Sequence, residues 1–420
     1  VVMTYLLMRV INPGSCAGPG KEKEHAGGLV RIALLGVAAG LLLNARPNAV
    51  VLVPVMLLLI AWYGYRDRLP VKKLAAAAAL YAAGAAVAVA PFVIRNYAVA
   101  GEAALTTSQS GFNLYLGNNL QNPDPYYRPA PFAVSSPFEQ GIQFTIEASR
   151  RAGKKLTSQE ASDYWTGAVI REAAARPAAV ARKMGQKLLV LVNRFEACDH
   201  YDADFISDFA AVFKAPFFAF WVIFPLSMAG ILARAGERNT RALAALVSVY
   251  ATTLIIFFTN GRYRLPIAAV LIPFAASGMM LFYSGFRERK YRAAVRHAAI
   301  AAVFLVVVLL PVRGTDYKSA YYNTHAIVLV SKGFESEAVR YWKASSAMGK
   351  PFSAYADVAL AGRAFPRGAS DEGRAYLAKI PDDSFAAASK YELLGDYLFH
   401  ERKPDAAIAA RVASLPARNW

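Results

Sequence analysis

Segment 259–266 has the residue types needed to bind an anion. It contains Arg262, Tyr263 and Arg264, and strongly apolar runs precede it (242–258) and follow it (267–283). Charged side chains between two such runs are expected at a membrane face, where uncompensated charge is costly. Because the planar donor fork of arginine suits phosphate oxygens, the pattern predicts contact with a lipid phosphate or a similar head group. The alternative is that these arginines only anchor helix ends at the interface.

The composition is typical of a membrane protein. The chain has 420 residues, of which 56% are hydrophobic and 18% are charged, and its formal net charge is +18. This combination is unusual for a soluble protein of similar length. The basic residues cluster in short loops beside apolar segments and form no basic-aromatic stripe. Membrane topology therefore explains the charge, and we predict no nucleic-acid partner.

Seven apolar segments are long enough, or nearly so, to cross a bilayer. They lie at residues 29–43, 48–64, 72–93, 209–232, 242–259, 265–283 and 294–311. The predicted fold class is mainly α: a polytopic helical membrane protein with a large external loop and a C-terminal α-hairpin domain. The predicted divisions are 1–93 (membrane), 94–208 (loop), 209–311 (membrane) and 312–420 (tail). The first residues resemble the last turns of an earlier membrane helix, so we expect that further protein precedes them.

The distribution of basic residues predicts the orientation. Arg66, Arg68, Lys72 and Lys73 lie in one connection, and alternate connections further along the chain are similarly basic. Such loops face the cytoplasm. The loop 94–208 and the tail after 311 are then predicted to be periplasmic, with the chain in the inner membrane of a Gram-negative bacterium.

The large loop begins with Arg95 and Asn96 and continues through a stretch rich in glycine, asparagine and serine. This composition predicts turns and close backbone approaches in 106–119 rather than regular helix. Amide side chains and free backbone N–H groups suit sugar hydroxyls or phosphate oxygens, although an ordinary polar loop would have the same composition. The candidate residues here are Ser110, Gly111, Asn113 and Asn118.

Two helices are predicted later in this loop. Thr157 and Glu160 have the spacing of a capping box that opens a helix to about residue 175, and Pro177 suits the first turn of the next helix. That second helix carries apolar residues at helical spacing beside three basic ones, so it is predicted either to lie on the membrane surface or to pack on the protein's own core. The apolar residues are Val180, Met184, Leu188 and Leu191, and the basic residues are Arg182, Lys183 and Lys187.

A polar cluster follows at Glu196, Cys198, Asp199, His200, Asp202 and Asp204. Carboxylate and imidazole groups could bind a divalent metal, but the spacing matches no recognised ligand pattern. A solvated acidic loop is the preferred interpretation. No cofactor is therefore predicted with certainty, and a divalent metal is the alternative.

The tail has features of a degenerate helical repeat. Tyr322, Leu329, Gly333, Ala338 and Trp342 fit the positions of one tetratricopeptide-type hairpin, and Tyr391, Leu394, Gly395 and Ala407 fit another. Ala338, Ala375 and Ala407 are 37 and 32 residues apart, close to the repeat length of about 34. The pattern predicts about three degenerate repeats that form an external surface for binding a protein partner. A plain α-hairpin bundle would leave similar traces.

Residues 30–310 resemble the C-terminal two-thirds of a polytopic GT-C glycosyltransferase of the protein mannosyltransferase and aminoarabinose transferase type. The segments that carry the resemblance are 44–48 (NARPN), 91–97 (PFVIRNY), 110–118 (SGFNLYLGN) and 261–266 (GRYRLP). It implies an enzyme that transfers a sugar from a polyprenyl-phosphate donor to an extracytoplasmic glycan, lipid or protein. It also implies that Arg262 and Arg264 contact the lipid phosphate beside Tyr263, with Arg46 and Arg95 as helpers.

The sequence departs from that family in one respect. Such enzymes use acidic residues in their first external loop, whereas segments 29–43 and 48–64 meet here in a bare turn. The catalytic acids are therefore expected upstream of Val1, and no catalytic residue is named. The alternative function is a non-enzymatic scaffold of envelope assembly, which would use the tail to bind proteins. A transporter is disfavoured because no acidic or histidine relay crosses the apolar segments.

Overall fold

The computed structural model describes residues 2–12, 21–100, 109–127, 130, 132, 137–198, 203–215, 219–312, 318–349, 353–382 and 386–414. Within these ranges the regular structure is helical and no strand occurs. The predicted mainly α fold class is confirmed.

In the described part of the first half, four helices lie up to residue 100 and four more lie between residues 110 and 192. The bounds are α1 Val2–Ile11, α2 Lys21–Ala45, α3 Leu52–Arg66, α4 Val71–Ala100, α5 Ser110–Asn118, α6 Pro137–Ala152, α7 Ser158–Ala175 and α8 Pro177–Val192. A 3-10 turn, Pro47–Val51, joins α2 to α3. This short connection matches the turn predicted between segments 29–43 and 48–64, for which the sequence also allowed a buried re-entrant pair.

The second half continues with the remaining apolar helices and then the tail. The bounds are α9 Ala203–Phe209, α10 Phe220–Ala233, α11 Arg238–Ile256, α12 Gly261–Arg287, α13 Tyr291–Leu309, α14 Lys318–Ser331, α15 Glu335–Met348, α16 Ser353–Ala364, α17 Ser370–Ala378, α18 Ala387–His400 and α19 Pro404–Ser414. The chain forms two compact units: Val1–Asp199 with Ala215–Arg313, and His200–Lys214 with Gly314–Trp420.

Among the described residues, six helices are long and apolar enough to span a membrane. They are Gly28–Ala45, Pro47–Arg66, Val71–Val99, Arg238–Ile256, Gly261–Arg287 and Tyr291–Leu309. The seventh expected segment, 209–232, is different. Among the described residues of that segment, α10 is the long α-helix. Its 14 residues extend about 21 Å, less than the ~30 Å hydrocarbon core of a bilayer. Lys214 and Pro216 interrupt the apolar run in the sequence, and proline opposes helix continuation.

The stretch 106–119 also differs from the sequence-based expectation, because residues 110–118 form α5. Phe112, Tyr115 and Leu116 follow helical spacing, and all three are buried where α5 packs on α7. Burial of this apolar face outweighs the weak helix propensities of glycine and asparagine. The capping box at Thr157 and Glu160 is confirmed, with α7 beginning at Ser158.

Close helix approach in the first unit depends on glycine. Gly36 lies in α2 against α4, and a Cβ atom there would come within 2.1 Å of the Tyr81 carbonyl oxygen. In the same way, a Cβ atom on Gly230 of α10 would come within 2.1 Å of the Phe274 carbonyl oxygen in α12. Ser227 adds a hydrogen bond to the Leu271 carbonyl (2.9 Å). Small residues at such contacts let apolar helices pack closely where the hydrophobic effect between them is weak.

The tail consists of paired helices: α14 with α15, α16 with α17, and α18 with α19. In the first pair Ala338 and Trp342 are buried, and the Trp342 indole N–H donates to Asn323 Oδ1 at 2.9 Å. Ala375, which the repeat spacing aligned with Ala338 and Ala407, is exposed. Gly373 is buried instead and lies against the Phe365 ring. The hairpins predicted from the sequence are present, whereas the position assigned to Ala375 is wrong.

Substitution of Gly36 by alanine is expected to lower the thermal unfolding midpoint of the detergent-solubilised protein. Overpacking a close contact typically costs about 1–3 kcal/mol. Gly28 of the same helix is the matched control, because nothing lies within 4 Å of a Cβ atom there. Gly28→Ala should be neutral or stabilising, since alanine is the better helix former. Equal midpoints for the two variants would contradict the α2–α4 contact.

Candidate functional site: a cationic cavity at two helix connections

A cavity of about 640 Å³ lies in the first unit where two helix connections meet. One connection joins α2 to α3, the other joins α11 to α12, and the beginning of α5 closes a further side. The lining residues are Ala45, Arg46, Pro47, Asn48, Val50, Val51, Gln109, Ser110, Asn113, Thr253, Leu254, Phe257, Phe258, Arg262 and Tyr263. Three segments that the sequence singled out separately are therefore adjacent in space.

The half-buried Tyr263 ring binds two guanidinium groups. The Cζ atom of Arg46 lies 5.1 Å from the ring centroid, and that of Arg262 lies 5.2 Å from it. Arg262 also donates a hydrogen bond from Nη2 to the Tyr263 hydroxyl at 3.3 Å. Cation–π contacts of this kind hold guanidinium groups over an aromatic face. Arg46 and Arg262 are the charged residues in the described lining, so the cavity is positively charged.

The start of α12 adds to this positive potential. The Asn260 side chain caps the helix, and its Oδ1 atom accepts a hydrogen bond from the Tyr263 backbone N–H at 2.8 Å. Unsatisfied N–H groups at a helix N-terminus carry partial positive charge and favour a nearby anion. The cap thus fixes the backbone from which Arg262 and Tyr263 project into the cavity.

Of the loop residues predicted to bind sugar or phosphate, Ser110 and Asn113 line this cavity. Gly111 serves packing: its N–H donates to Ser162 Oγ at 3.0 Å, and a Cβ atom would come within 1.9 Å of the Ser162 carbonyl oxygen. Asn118 is buried and donates to the carbonyls of Leu114 and Ile256, both at 2.8 Å. Gln109 lines the cavity but was missed as a candidate, although it lies next to Ser110.

Lys187 joins the loop to the end of α11. It is fully buried, and its Nζ atom donates to Asn118 Oδ1 at 2.8 Å and to the Phe257 carbonyl at 2.7 Å. On the same helix, Lys183 donates to the carbonyls of Asn119 (2.7 Å) and Asn122 (2.8 Å). The inward face of α8 therefore carries both lysines, while Leu188 is 51% exposed. α8 therefore packs on the protein's own core, one of its two predicted placements, but the two lysines and not the whole predicted apolar row face inwards.

Burial changes the proton affinity of these two lysines. Loss of hydration lowers the pKa of Lys187 to about 7, with a smaller contribution from nearby Lys183. The same cause lowers the pKa of Lys183 to about 8, against opposing contributions from Glu172 and Asp124. A neutral amine retains two N–H donors. The two hydrogen bonds of Lys187 can therefore persist after deprotonation.

Arg264 points away from the cavity. Its side chain is buried, and Nη1 donates to the carbonyls of Leu191 (3.2 Å) and Asn193 (2.7 Å) at the end of α8. The guanidinium group also forms an ion pair with Glu196 and lies over the Phe220 ring at 4.3 Å. These contacts make Arg264 a C-terminal cap for α8 rather than part of the cavity lining.

Arg95 and Asn96 lie near the end of α4, outside the cavity lining. Arg95 is exposed, and its Nη1 atom donates to Asn96 Oδ1 at 3.4 Å. In the proposed metal cluster, Glu196 pairs with Arg264. Asp199, His200 and Asp202 lie outside the described residues, as does the Asp204 side chain. Within the described part of the chain, no group of three potential metal ligands occurs.

Comparison of the chain with protein-family models, with curated protein sequences and with solved structures gives no significant match. What is established is a helical protein with six candidate membrane spans in its described part.

Arg264→Met is expected to reduce the folded yield and the thermal midpoint, because it removes the cap of α8 and one partner of an ion pair. We expect a destabilisation of ~2–4 kcal/mol, typical of breaking buried charged contacts. Arg262→Met, two residues away on the exposed side of the same helix, is the matched variant and should leave the midpoint nearly unchanged. Equal stability losses would contradict the separate roles of the two arginines.

The stability of the protein should rise as the pH increases from 7 to 10. In that range the unfolded chain, with ordinary lysine pKa values, binds more protons than the folded chain, in which the pKa values of Lys187 and Lys183 are about 7 and about 8. Each such lysine can contribute up to about 1.4 kcal/mol per pH unit. The rise between pH 7 and pH 8 should be smaller in Lys187→Met.

Thermal midpoints at several pH values would test this expectation. Lys154→Met, a change at an exposed lysine, is the control, and its thermal midpoint should rise with pH as steeply as that of the wild type. If the thermal midpoint of Lys187→Met rises with pH as steeply as that of the wild type, Lys187 is not the titrating group.

Proposed function

We propose that this chain provides the donor-binding part of a membrane glycosyltransferase that uses a polyprenyl-phosphate-linked sugar. The observation that carries the proposal is the Tyr263 ring with Arg46 and Arg262 over it, at distances of 5.1 and 5.2 Å, in one cavity. Two guanidinium groups held at one site match the oxygens of a phosphate. In this proposal Arg46 and Arg262 bind the phosphate, and Arg264 stabilises the neighbouring helices by capping α8.

The position of the cavity favours a lipid phosphate over a soluble one. Both connections that form it lie between candidate membrane spans, so the arginines belong at the head-group level of a bilayer. Val50, Leu254 and Phe257 give the lining an apolar part, which suits an isoprenoid chain. Val50 and Leu265 are also exposed, at 44% and 62%, and would face lipid beside the cavity.

The chemistry implied is displacement at the anomeric carbon of the donor sugar. A hydroxyl oxygen of the acceptor forms the new bond to that carbon while the bond from carbon to the phosphate oxygen breaks. The polyprenyl phosphate leaves with the bonding electrons, and the two arginines stabilise its developing charge. The described lining contains no carboxylate. We therefore assign to the cavity the binding of donor and leaving group, and not the removal of the acceptor's proton.

The neutral polar residues of the lining are assigned to binding the donor sugar. Ser110, Asn113 and Asn48 carry neutral donors and acceptors that suit sugar hydroxyls. The basic connections at 66–73 and 287–296 lie on the opposite side from the cavity, and the positive-inside rule assigns that side to the cytoplasm. The proposal therefore requires α10 to cross the membrane as well, packed against α12 and α13. The cavity and its acceptor would then be extracytoplasmic, at the inner membrane of a bacterium. Catalytic acids, and a divalent metal if one is used, would come from outside the described lining.

A non-enzymatic scaffold is the second candidate, and one observation favours it. The last hairpin of the tail exposes a row of apolar side chains, Phe399 at 69%, Ile408 at 62% and Val412 at 61%. Exposed apolar surface on stacked helical hairpins is typical of a face that binds protein. This function would make no use of Arg46 or Arg262.

Binding of undecaprenyl phosphate to the purified protein in nanodiscs tests the proposal, with undecaprenol as the ligand that lacks the phosphate. The wild type should retain the phosphate and not the alcohol. Arg46→Ala and Arg262→Ala should each weaken binding by roughly 10- to 100-fold, the loss expected for a charge-assisted hydrogen bond. Arg176→Ala, a change at an exposed arginine between α7 and α8, is the control and should bind as the wild type does. Equal retention by all variants would overturn the donor site and favour the scaffold.

A further inference from the structure

We propose that a second groove, next to the cationic cavity, binds a neutral saccharide as the acceptor; this inference rests on the function proposed above. The groove has a volume of about 430 Å³ and lies between α5, α6 and α7. Its lining residues are Gln109, Phe112, Gly141, Ile142, Phe144, Thr145, Ile146, Ser158, Ala161, Ser162 and Trp165. The three helices thus leave an open groove between them.

The groove and the cationic cavity are adjacent. Gln109 belongs to the lining of both. Ser110 of the cavity and Ser162 of the groove lie with their hydroxyl oxygens 3.4 Å apart. A molecule in the groove would therefore reach the cavity past the Gln109 side chain. This is the arrangement needed for a hydroxyl of one bound molecule to meet the sugar of another.

The walls of the groove are preformed. The Trp165 indole N–H donates to the Phe144 carbonyl at 3.0 Å, which fixes α7 against α6. Phe112 of α5 stacks on Phe144 with a centroid distance of 4.9 Å. Gly111 allows α5 to approach Ser162 closely. Because all three helices are tied together, a ligand would meet a rigid surface and lose little affinity to ordering it.

The chemistry of the described lining is neutral and mixed. Gln109 and Ser158 are exposed and supply an amide and a hydroxyl group, and Thr145 Oγ1 keeps acceptor capacity beside its bond to the Gly141 carbonyl. Ile142 and Ile146 are each 62% exposed and supply an apolar side. A neutral saccharide offers hydroxyls together with apolar C–H faces, which matches this combination. An anionic acceptor would find no cation in this lining, and an acyl chain would leave the polar groups unpaired.

Gly141 provides a direct test. It lies within α6, and a Cβ atom there would come 3.8 Å from Gln109 Nε2 and 3.9 Å from Phe112 Cε1. A side chain at this position therefore points into the groove. The series Gly141→Ala, Gly141→Leu and Gly141→Phe should reduce ligand binding progressively with size. An effect of helix propensity alone would make Gly141→Ala bind at least as well as the wild type, because alanine is a better helix former than glycine.

Saturation-transfer NMR with maltotetraose and chitotetraose as neutral probes measures occupancy of the groove in the full chain in nanodiscs. We expect signals from at least one of these probes with the wild type, and at least a tenfold loss of affinity in Gly141→Phe. Gly185→Phe is the matched control, since Gly185 is an exposed helical glycine with nothing within 4 Å of a Cβ atom. The thermal midpoint of each variant shows that it is folded.

The outcomes separate this inference from the donor site. Retention of undecaprenyl phosphate without saccharide binding, or saccharide binding unaffected by Gly141→Phe, overturns the acceptor groove and leaves the donor site intact. Saccharide binding that Gly141→Phe abolishes, in a protein that retains no undecaprenyl phosphate, supports the groove as a saccharide site and overturns the donor site. A saturation-transfer signal from a neutral serine-rich peptide that Gly141→Phe abolishes, with no signal from either saccharide, overturns the ligand class.

Discussion

Two buried basic side chains, Lys187 and Arg264, cap the C-terminal ends of α11 and α8, and the site depends on these two caps. Lys187 of α8 donates to the Phe257 carbonyl just beyond the end of α11, at 2.7 Å. Arg264 of α12 donates to carbonyls at the end of α8, the shortest bond being 2.7 Å to Asn193. The last carbonyls of a helix carry partial negative charge and have no partner within it. A buried N–H donor at each end therefore stabilises both helices and fixes the break between α11 and α12, where the cationic cavity forms.

The connection between α11 and α12 is also held in place by contacts with neighbouring segments. Gly117 approaches the Phe257 carbonyl so closely that a Cβ atom would lie 1.7 Å from its oxygen. The Asn118 side chain holds the Ile256 carbonyl at 2.8 Å. On the other side, the Gly261 N–H donates to the Ala197 carbonyl at 2.8 Å. The loop helices are thus bonded to the backbone of the α11–α12 connection, and Arg262 and Tyr263 project from a backbone that is held from both sides.

Helix geometry explains why Arg262 and Arg264 have different roles. At 3.6 residues per turn, side chains two positions apart point in nearly opposite directions. Arg264 is 3% exposed and pairs with a carboxylate inside the protein, whereas Arg262 is exposed beside Tyr263. The spacing in the sequence could have predicted this separation. It could not have predicted which arginine faces inwards, because that depends on the position of α8, which comes from a distant part of the chain.

The same distinction between local and distant causes applies to the rest of the fold. The capping box at Thr157 and the apolar spans follow from neighbouring residues and could be predicted from them. By contrast, the burial of Lys187 follows from contacts with residues about 70 positions away in the sequence. The helix at 110–118 depends on its packing against α7, and its glycines and asparagines are unfavourable for helix in isolation. Sequence patterns could therefore locate Arg46 and Arg262, but only the folded chain brings them onto one tyrosine ring.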